Sequence, residues 1–227
     1  AFPGQTYDNL KDVFRPGSFM TQSFSLAHST ASSNFLVSFN NFEQTGALEG
    51  NDGFERRNFR VNLDHRLRDN LSFGVSAFHS RSKQDDVIGG SSGEGSVFWD
   101  IMMYASDVNL AAKDASGKFI RQPDPLVNVI NPLWDQQNHE NLDRRSRTLA
   151  NVNARYSPLS WLTFQGEVSY DRADLNNLAY TAKGTPSTAD GIETDDGSIE
   201  FDDEFSDVMN GSVSGTALHA FGDLTTR

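Results

Sequence analysis

Residues 58–67 read Asn-Phe-Arg-Val-Asn-Leu-Asp-His-Arg-Leu, so Phe, Val, Leu, His and Leu occupy every second position. Successive side chains of a β-strand point to opposite faces, which gives this segment one apolar face and one polar, charged face. After Arg68 to Asn70 the alternation resumes over Leu71 to His79. The two segments therefore predict an antiparallel hairpin with one apolar face.

Five further segments alternate with the same period of two, and each predicts another strand. They are Met20 to His28, Asn34 to Phe42, Thr148 to Tyr156, Leu162 to Tyr170 and Gly211 to Phe221. The last segment has the weakest pattern, because Val213 and Leu218 fall on opposite faces. The sequence thus predicts seven antiparallel strands and an all-β fold.

The connections between these strands are alternately short and long. The short ones are Ser29 to Ser33, Arg68 to Asn70 and Ser157 to Trp161. The long, polar ones are Asn41 to Asn58, Ser82 to Arg147 and Asp171 to Asn210. Bacterial outer-membrane barrels have short periplasmic turns and long extracellular loops. The order therefore favours an antiparallel transmembrane β-barrel with long extracellular loops, set in a lipid bilayer.

Composition excludes several classes of protein. Only 37% of the 227 residues are hydrophobic, and no apolar run approaches the ~20 residues of a transmembrane helix. A transmembrane strand needs only ~10 residues with every second one apolar, so mean hydropathy does not argue against a barrel. The net charge of −12 argues against nucleic-acid binding, and the absence of cysteine excludes disulfides and thiolate metal sites.

A soluble β-sandwich is the main alternative, because alternation alone does not separate it from a barrel. Three observations favour the barrel: the order of connections, strands of about nine residues, and aromatic residues near strand ends, where interfacial girdles lie. Those aromatic residues are Phe19, Phe42, Tyr156, Trp161 and Tyr170. A secreted sandwich that binds glycans or mediates adhesion stays open as the second class.

Seven strands raise the question of closure. Single-chain bacterial barrels use an even number of strands, because an open edge in lipid leaves backbone groups unpaired. We therefore expect residues 1–227 to be a segment of a larger barrel domain. Ala1 to Leu10 lack the basic and apolar regions of a signal peptide, so we expect a mature or internal piece of a longer chain.

Several stretches resemble the barrel of SusC-like TonB-dependent outer-membrane transporters. Phe14-Arg15-Pro16-Gly17 leads into a strand, and Asn34 to Phe39 and Arg57 to Asp64 look like the following strands of that family. Val97 to Tyr104, with Asn131-Pro132-Leu133 further on, is similar to the family's long loop. The resemblance covers nearly the whole chain.

This resemblance implies a 22-stranded barrel in the bacterial outer membrane, of which the chain supplies about seven strands. It also implies a plug, a TonB box and a signal peptide, none of which is visible in the sequence. The implied function is active import of a large nutrient, such as an oligosaccharide or oligopeptide, with a SusD-like lipoprotein as partner and TonB acting through other regions. A siderophore-type receptor and a passive porin are the related alternatives.

No motif predicts catalysis, so we expect the protein not to be an enzyme. Gly89-Gly90-Ser91-Ser92-Gly93 has the letters of a nucleophile elbow, but it lies in a Gly/Ser-rich loop. An acidic run could supply oxygen ligands to calcium, although a solvated loop is favoured and no other cofactor is expected. The run comprises Asp190, Glu193, Asp195, Asp196, Glu200, Asp202, Asp203, Glu204 and Asp207.

Trp99, Tyr104 and Trp134 in the longest loop are the candidate substrate contacts, since aromatic rings stack on sugars or peptide side chains. The competing interpretation is packing within the loop, because Val97 to Met103 reads as a short helix. The basic group Arg144, Arg145 and Arg147 predicts charge at a strand start near lipid headgroups. A position facing the lumen is the alternative for these arginines.

Overall fold

A computed structural model describes residues 4–87, 96–185, 187–189, 192–221 and 224–226. Seven long strands form one antiparallel sheet: β1 (Phe19–Ser29), β2 (Ser33–Gln44), β3 (Phe54–Arg68), β4 (Leu71–Asp85), β5 (His139–Leu159), β6 (Leu162–Thr181) and β9 (Ser198–Ala217). Their order in the sheet is β1-β2-β3-β4-β5-β6-β9, so each long strand pairs with the next long strand along the chain. Two short hairpins complete the strands, β7 (Ser187–Ala189) with β8 (Ile192–Thr194) and β10 (His219–Phe221) with β11 (Leu224–Thr226). The all-β antiparallel prediction is confirmed.

The strands extend further toward the long connections than the alternation predicted. β5 begins at His139 rather than Thr148, and β6 continues to Thr181 rather than ending at Tyr170. The seventh strand covers Ser198–Ala217, so Glu200 to Asp207 lie in a strand and not in the predicted solvated loop. Beyond the apolar segments both faces are largely polar, so the alternation ends although backbone pairing continues.

Cross-strand pairing gives the sheet two different faces. The register aligns apolar residues in one row, Leu26, Val37, Val61, Ala77, Ala150, Tyr170 and Met209. On the opposite side a mainly polar row consists of Ser23, Asn40, Asn58, Ser80, Arg147, Ala173 and Ser206. We call these sides the apolar face and the polar face.

The apolar face is bare. Met209 and Val213 are 74% and 86% exposed, and Phe24 and Val168 are also exposed. A β-sandwich would bury this face under a second sheet ~10 Å away. Within the described residues the only other sheets are the two short hairpins, and neither pairs with the large sheet.

The buried apolar core lies instead in the connections. It joins α1 (Asn9–Val13), the β2–β3 connection and the β4–β5 connection, which contains α2 (Val97–Met103) and α3 (Pro132–Asn138). Its buried members are Val13, Leu48, Val97, Ile101, Tyr104, Leu110 and Leu133. We call this packed unit the loop module. In the described ranges, no helix has the length and apolar character needed to cross a bilayer.

Two buried asparagines fasten the loop module. The Asn131 amide nitrogen donates to the carbonyls of Leu110 at 2.8 Å and Ile120 at 2.9 Å, and its side-chain oxygen accepts from the backbone N–H of Leu133 at 3.1 Å. That last bond caps the N-terminus of α3, where Pro132 fits the first helical turn. Asn9 likewise bridges α1 to the backbone of Val108 and Leu110.

Candidate functional site

The three predicted substrate contacts have different environments. Tyr104 is 7% exposed and its hydroxyl donates to the carbonyl of Val129, and Trp134 is 8% exposed with the Arg121 guanidinium 5.7 Å from its ring centre. Trp99, on α2, is 38% exposed. Tyr104 and Trp134 therefore pack within the loop module, whereas Trp99 is accessible from solvent. Contact of these rings with a substrate stays a prediction.

Helix α2 separates a buried side from an exposed apolar side. Val97 and Ile101 are buried in the loop module, while Phe98, Trp99 and Met102 are exposed. The helix predicted from Val97 to Met103 is confirmed with the same bounds. Ser96 begins it, because its hydroxyl accepts a hydrogen bond from the backbone N–H of Trp99.

Burial perturbs two ionisable groups of the loop module. It raises the pKa of the Asp100 carboxyl to about 6, and the negative charge of Asp135 adds to the effect. Burial also raises the pKa of Tyr104 to about 12, with Asp100 as the next cause, which keeps the phenol protonated as a hydrogen-bond donor. Asp135 in turn accepts from His139 Nδ1 at 3.0 Å. Asp100, Asp135 and His139 lie on α2, on α3 and at the start of β5, respectively.

Strand β9 divides the acidic run between the two faces of the sheet. Glu200, Asp202 and Glu204 lie on the polar face, and Asp203 and Asp207 lie on the apolar side. Among the described residues no group of three or more acidic or histidine side chains is arranged to hold a metal ion. The side chains of Asp190 and Glu193, and the whole of Gly89 to Gly93, lie outside the described residues. Calcium binding stays a prediction.

Strand β5 also divides the predicted basic group. Arg145 and Arg147 lie on the polar face, and Arg144 lies on the opposite side. Arg147 donates to both carboxylate oxygens of Asp171, from Nε at 3.0 Å and from Nη2 at 2.7 Å. Arg145 donates from Nη2 to Asp143 at 2.8 Å. The strand begins at His139, so these arginines lie within it and not at its start.

The polar face carries an open depression of about 410 Å³ beside these arginines. Its lining includes the cross-strand row Ser82, Arg145, Leu175 and Glu204, and the adjacent Arg147 and Ala173. The arginines of β5 stand on one side and Glu204 of β9 on the other, with Ala173 and Leu175 of β6 between them. We call this feature the Arg–Glu depression. Sequence reasoning missed it because it depends on the pairing of strands that are far apart in the chain.

Aromatic rings form a second feature that the sequence did not predict. Phe19, Phe42 and Phe54 lie on the polar face, with ring centres 6.5 Å apart for the first pair and 6.0 Å for the second. Phe19 and Phe42, which were expected where an interfacial girdle lies, are thus on the face opposite the apolar row. Both positions fall one residue out of step with the apolar alternation of their strands, which was the available signal.

No family model matches this chain, and no curated protein matches it. Solved structures do. The RagAB peptide importer in its closed-closed state matches with a TM-score of 0.71 and 14% identity over 96% of this chain. Its open-open state gives 0.70 and 14% over 97%, and a further structure of the RagAB peptide transporter gives 0.67 and 15% over 97%. The chain spans 24% of each matched chain, and the likeness shows that it shares the fold of that part.

Proposed function

We propose that this chain is part of the wall of a SusC-like TonB-dependent transporter in the bacterial outer membrane. The observation that carries the proposal is the bare apolar face, which extends over seven neighbouring strands. Folded monomers in water rarely expose contiguous apolar patches larger than a few hundred Å². A lipid bilayer removes such a surface from water while the sheet pairs the backbone groups within it.

The height of the apolar segments fits a bilayer. On β3, apolar-face residues run from Phe59 to Leu67, a stretch of nine residues that rises ~26 Å along the strand. A tilt of about 40° reduces this rise to ~20 Å, near the ~25 Å apolar band of outer-membrane barrels. Polar residues follow on both faces beyond this stretch, as expected outside the hydrocarbon.

The polar face suits the inside of such a barrel. Within the height of the apolar stretch it carries the charged residues Arg60, Asp64, Arg155 and Glu167, which would be costly in lipid and are stable beside water or a plug. The loop module includes two of the long connections, so we propose that it lies outside the cell. Its exposed Trp99 is the ring that we propose for contact with entering cargo.

The cargo that we propose is a large nutrient, either an oligopeptide or an oligosaccharide, and the fold shared with the RagAB peptide importer supports the peptide. A SusD-like lipoprotein is the proposed partner at the outer surface. TonB would act through other regions of the complete protein. The protein would carry out no bond-making chemistry.

Uptake measurements in the native bacterium test this function. Deleting the gene should abolish uptake of labelled oligopeptides or oligosaccharides, and deleting TonB or dissipating the proton gradient should have the same effect. Uptake that survives loss of TonB would indicate a passive porin. A defect restricted to ferric chelates would indicate a siderophore-type receptor, and either result would overturn the proposal.

A further inference from the structure

We propose that the Arg–Glu depression is a binding subsite for short zwitterionic peptides, with Arg145 and Arg147 facing the terminal carboxylate and Glu204 facing the terminal ammonium group. This inference rests on the proposed function, because it takes the polar face to be the inner wall of the importer. It adds a ligand chemistry and named wall residues to that function.

The backbone pairing sets the dimensions of the depression. Arg145 pairs with Leu175, and Leu175 pairs with Glu204, so two strand spacings separate the arginine side from the glutamate side. Two spacings correspond to ~9.6 Å between backbones. Ala173 and Leu175 on the strand between them are short and uncharged, and they form a low apolar floor. The volume of about 410 Å³ falls within the range of small-molecule sites.

The arginine side is arranged for an anion. Asp171 holds Arg147 through Nε and Nη2, and Asp143 holds Arg145 through Nη2. Asn177 steadies the second pair by donating to Asp143 at 2.8 Å. A guanidinium has five N–H donors, so both arginines keep donors beyond those used by the aspartates. Held in this way, they lose little side-chain entropy when a carboxylate binds.

The opposite side is arranged for a cation. Among the described residues the Glu204 carboxylate makes no hydrogen bond or ion pair, although Arg145 is in the same cross-strand row. Its neighbours on β6 are Leu175 in the same row and Asn177 in the next, and neither is charged. An unpaired carboxylate beside an apolar floor gains a strong hydrogen bond from an ammonium group.

This arrangement selects a peptide over other ligands. An extended chain advances about 3.3–3.6 Å per residue, so a tripeptide places its terminal charges roughly 7–10 Å apart. Side chains stand roughly perpendicular to a sheet, so Arg145 and Glu204 project from backbones ~9.6 Å apart, and a tripeptide that lies across them has its terminal charges at about that separation. An uncharged sugar has no charged group to pair with either wall. A small anion pairs with the arginines alone and gains nothing from Glu204. The apolar floor accommodates a side chain of a central residue.

The test uses the complete protein purified in detergent, with trialanine as the probe in isothermal titration calorimetry at pH 7. N-acetyl-trialanine lacks the ammonium group, and trialanine amide lacks the carboxylate. Glu204→Gln should weaken trialanine binding roughly tenfold or more and leave N-acetyl-trialanine binding unchanged. Arg145→Met should weaken trialanine binding by a similar factor and leave the binding of trialanine amide unchanged. Glu200→Gln, on the same face of β9 but outside the depression, is the matched control.

Two results would overturn the inference: trialanine and its acetylated form binding equally well, or Glu204→Gln and Glu200→Gln weakening binding equally. Circular dichroism of each variant keeps a folding defect from being counted as lost binding. Failure of the transport proposal gives a different result. If the selective effect of Glu204→Gln on trialanine is present but uptake does not require TonB, the subsite stands and the importer function falls.

Discussion

The Nδ2 atom of Asn131 donates to the carbonyl oxygen of Leu110 at 2.8 Å, and the side chains of both residues are completely buried, with 0% exposure. The bond joins the start of α3 to the middle of the β4–β5 connection. It lies in the loop module, which holds most of the buried apolar side chains among the described residues, and not on the sheet. The β2–β3 and β4–β5 connections therefore contribute to a packed structure, while the sheet presents its apolar face outward.

Replacing Asn131 with alanine should loosen the loop module and leave the sheet intact. The change leaves the carbonyls of Leu110 and Ile120 without that donor and removes the cap of α3. Each buried unsatisfied group costs about 1–3 kcal/mol, so we expect a local loss of ~2–4 kcal/mol. Hydrogen exchange with mass spectrometry measures it as faster exchange in α2 and α3. The control is Asn128→Ala at an exposed position of the same connection, and equal effects of the two changes would contradict the account.

The loop module should become less stable as pH rises from about 4 to 7. Burial and the charge of Asp135 raise the pKa of folded Asp100 to about 6, above its ordinary value of 3.8. The folded state therefore binds more protons than the unfolded state between these values, and stability falls with increasing pH. Asp100→Asn should reduce this dependence and protect α2 at pH 7.

Hydrogen exchange corrected for intrinsic rates at each pH measures the effect. Asp107→Asn, at an exposed position of the same connection, is the control and should keep the dependence of the unaltered protein. A loop module whose protection rises with pH between 4 and 7 would contradict the assignment to Asp100.

Adjacent residues of β6 should respond in opposite ways to a positive charge. Val168 lies on the apolar face and Ser169 on the polar face. In a barrel wall, Val168→Arg should cost ~2–4 kcal/mol because the guanidinium enters lipid, whereas Ser169→Arg should cost much less. Reversible folding of the complete protein into lipid vesicles, followed by denaturant titration, measures the difference. Similar costs at both positions would show that neither faces hydrocarbon.

The sequence predicted the fold where local chemistry determines it. Phe59, Val61 and Leu63 identify β3 because each second residue contacts the same surroundings, and the short turn before Leu71 fixes its partner. It underestimated β5 and β9 because Arg144, Arg145 and the acidic run break the alternation, while pairing with distant strands keeps the backbone extended. Pairing between distant strands cannot be deduced from any one short segment.

The candidate sites divide in the same way. Packing of Tyr104 was among the predicted alternatives, since helical spacing within Val97–Met103 indicated a buried side. The Arg–Glu depression could not be predicted, because Arg145 and Glu204 become neighbours across β6 only through the register of three strands. Phe19 and Phe42 lie on the polar face because each is one position away from the apolar residues of its strand. Their position near strand ends does not indicate which face they occupy.

The most direct test of the barrel wall is a cysteine scan along residues 164–170 of β6. The chain has no cysteine of its own, so single substitutions in an otherwise cysteine-free complete protein can carry a fluorescent label one position at a time. In lipid vesicles, labels at Phe164, Gly166, Val168 and Tyr170 should be quenched by a lipid-soluble quencher, and labels at Gln165, Glu167 and Ser169 by a water-soluble one. Quenching of every label by the water-soluble quencher alone would contradict a lipid-facing wall.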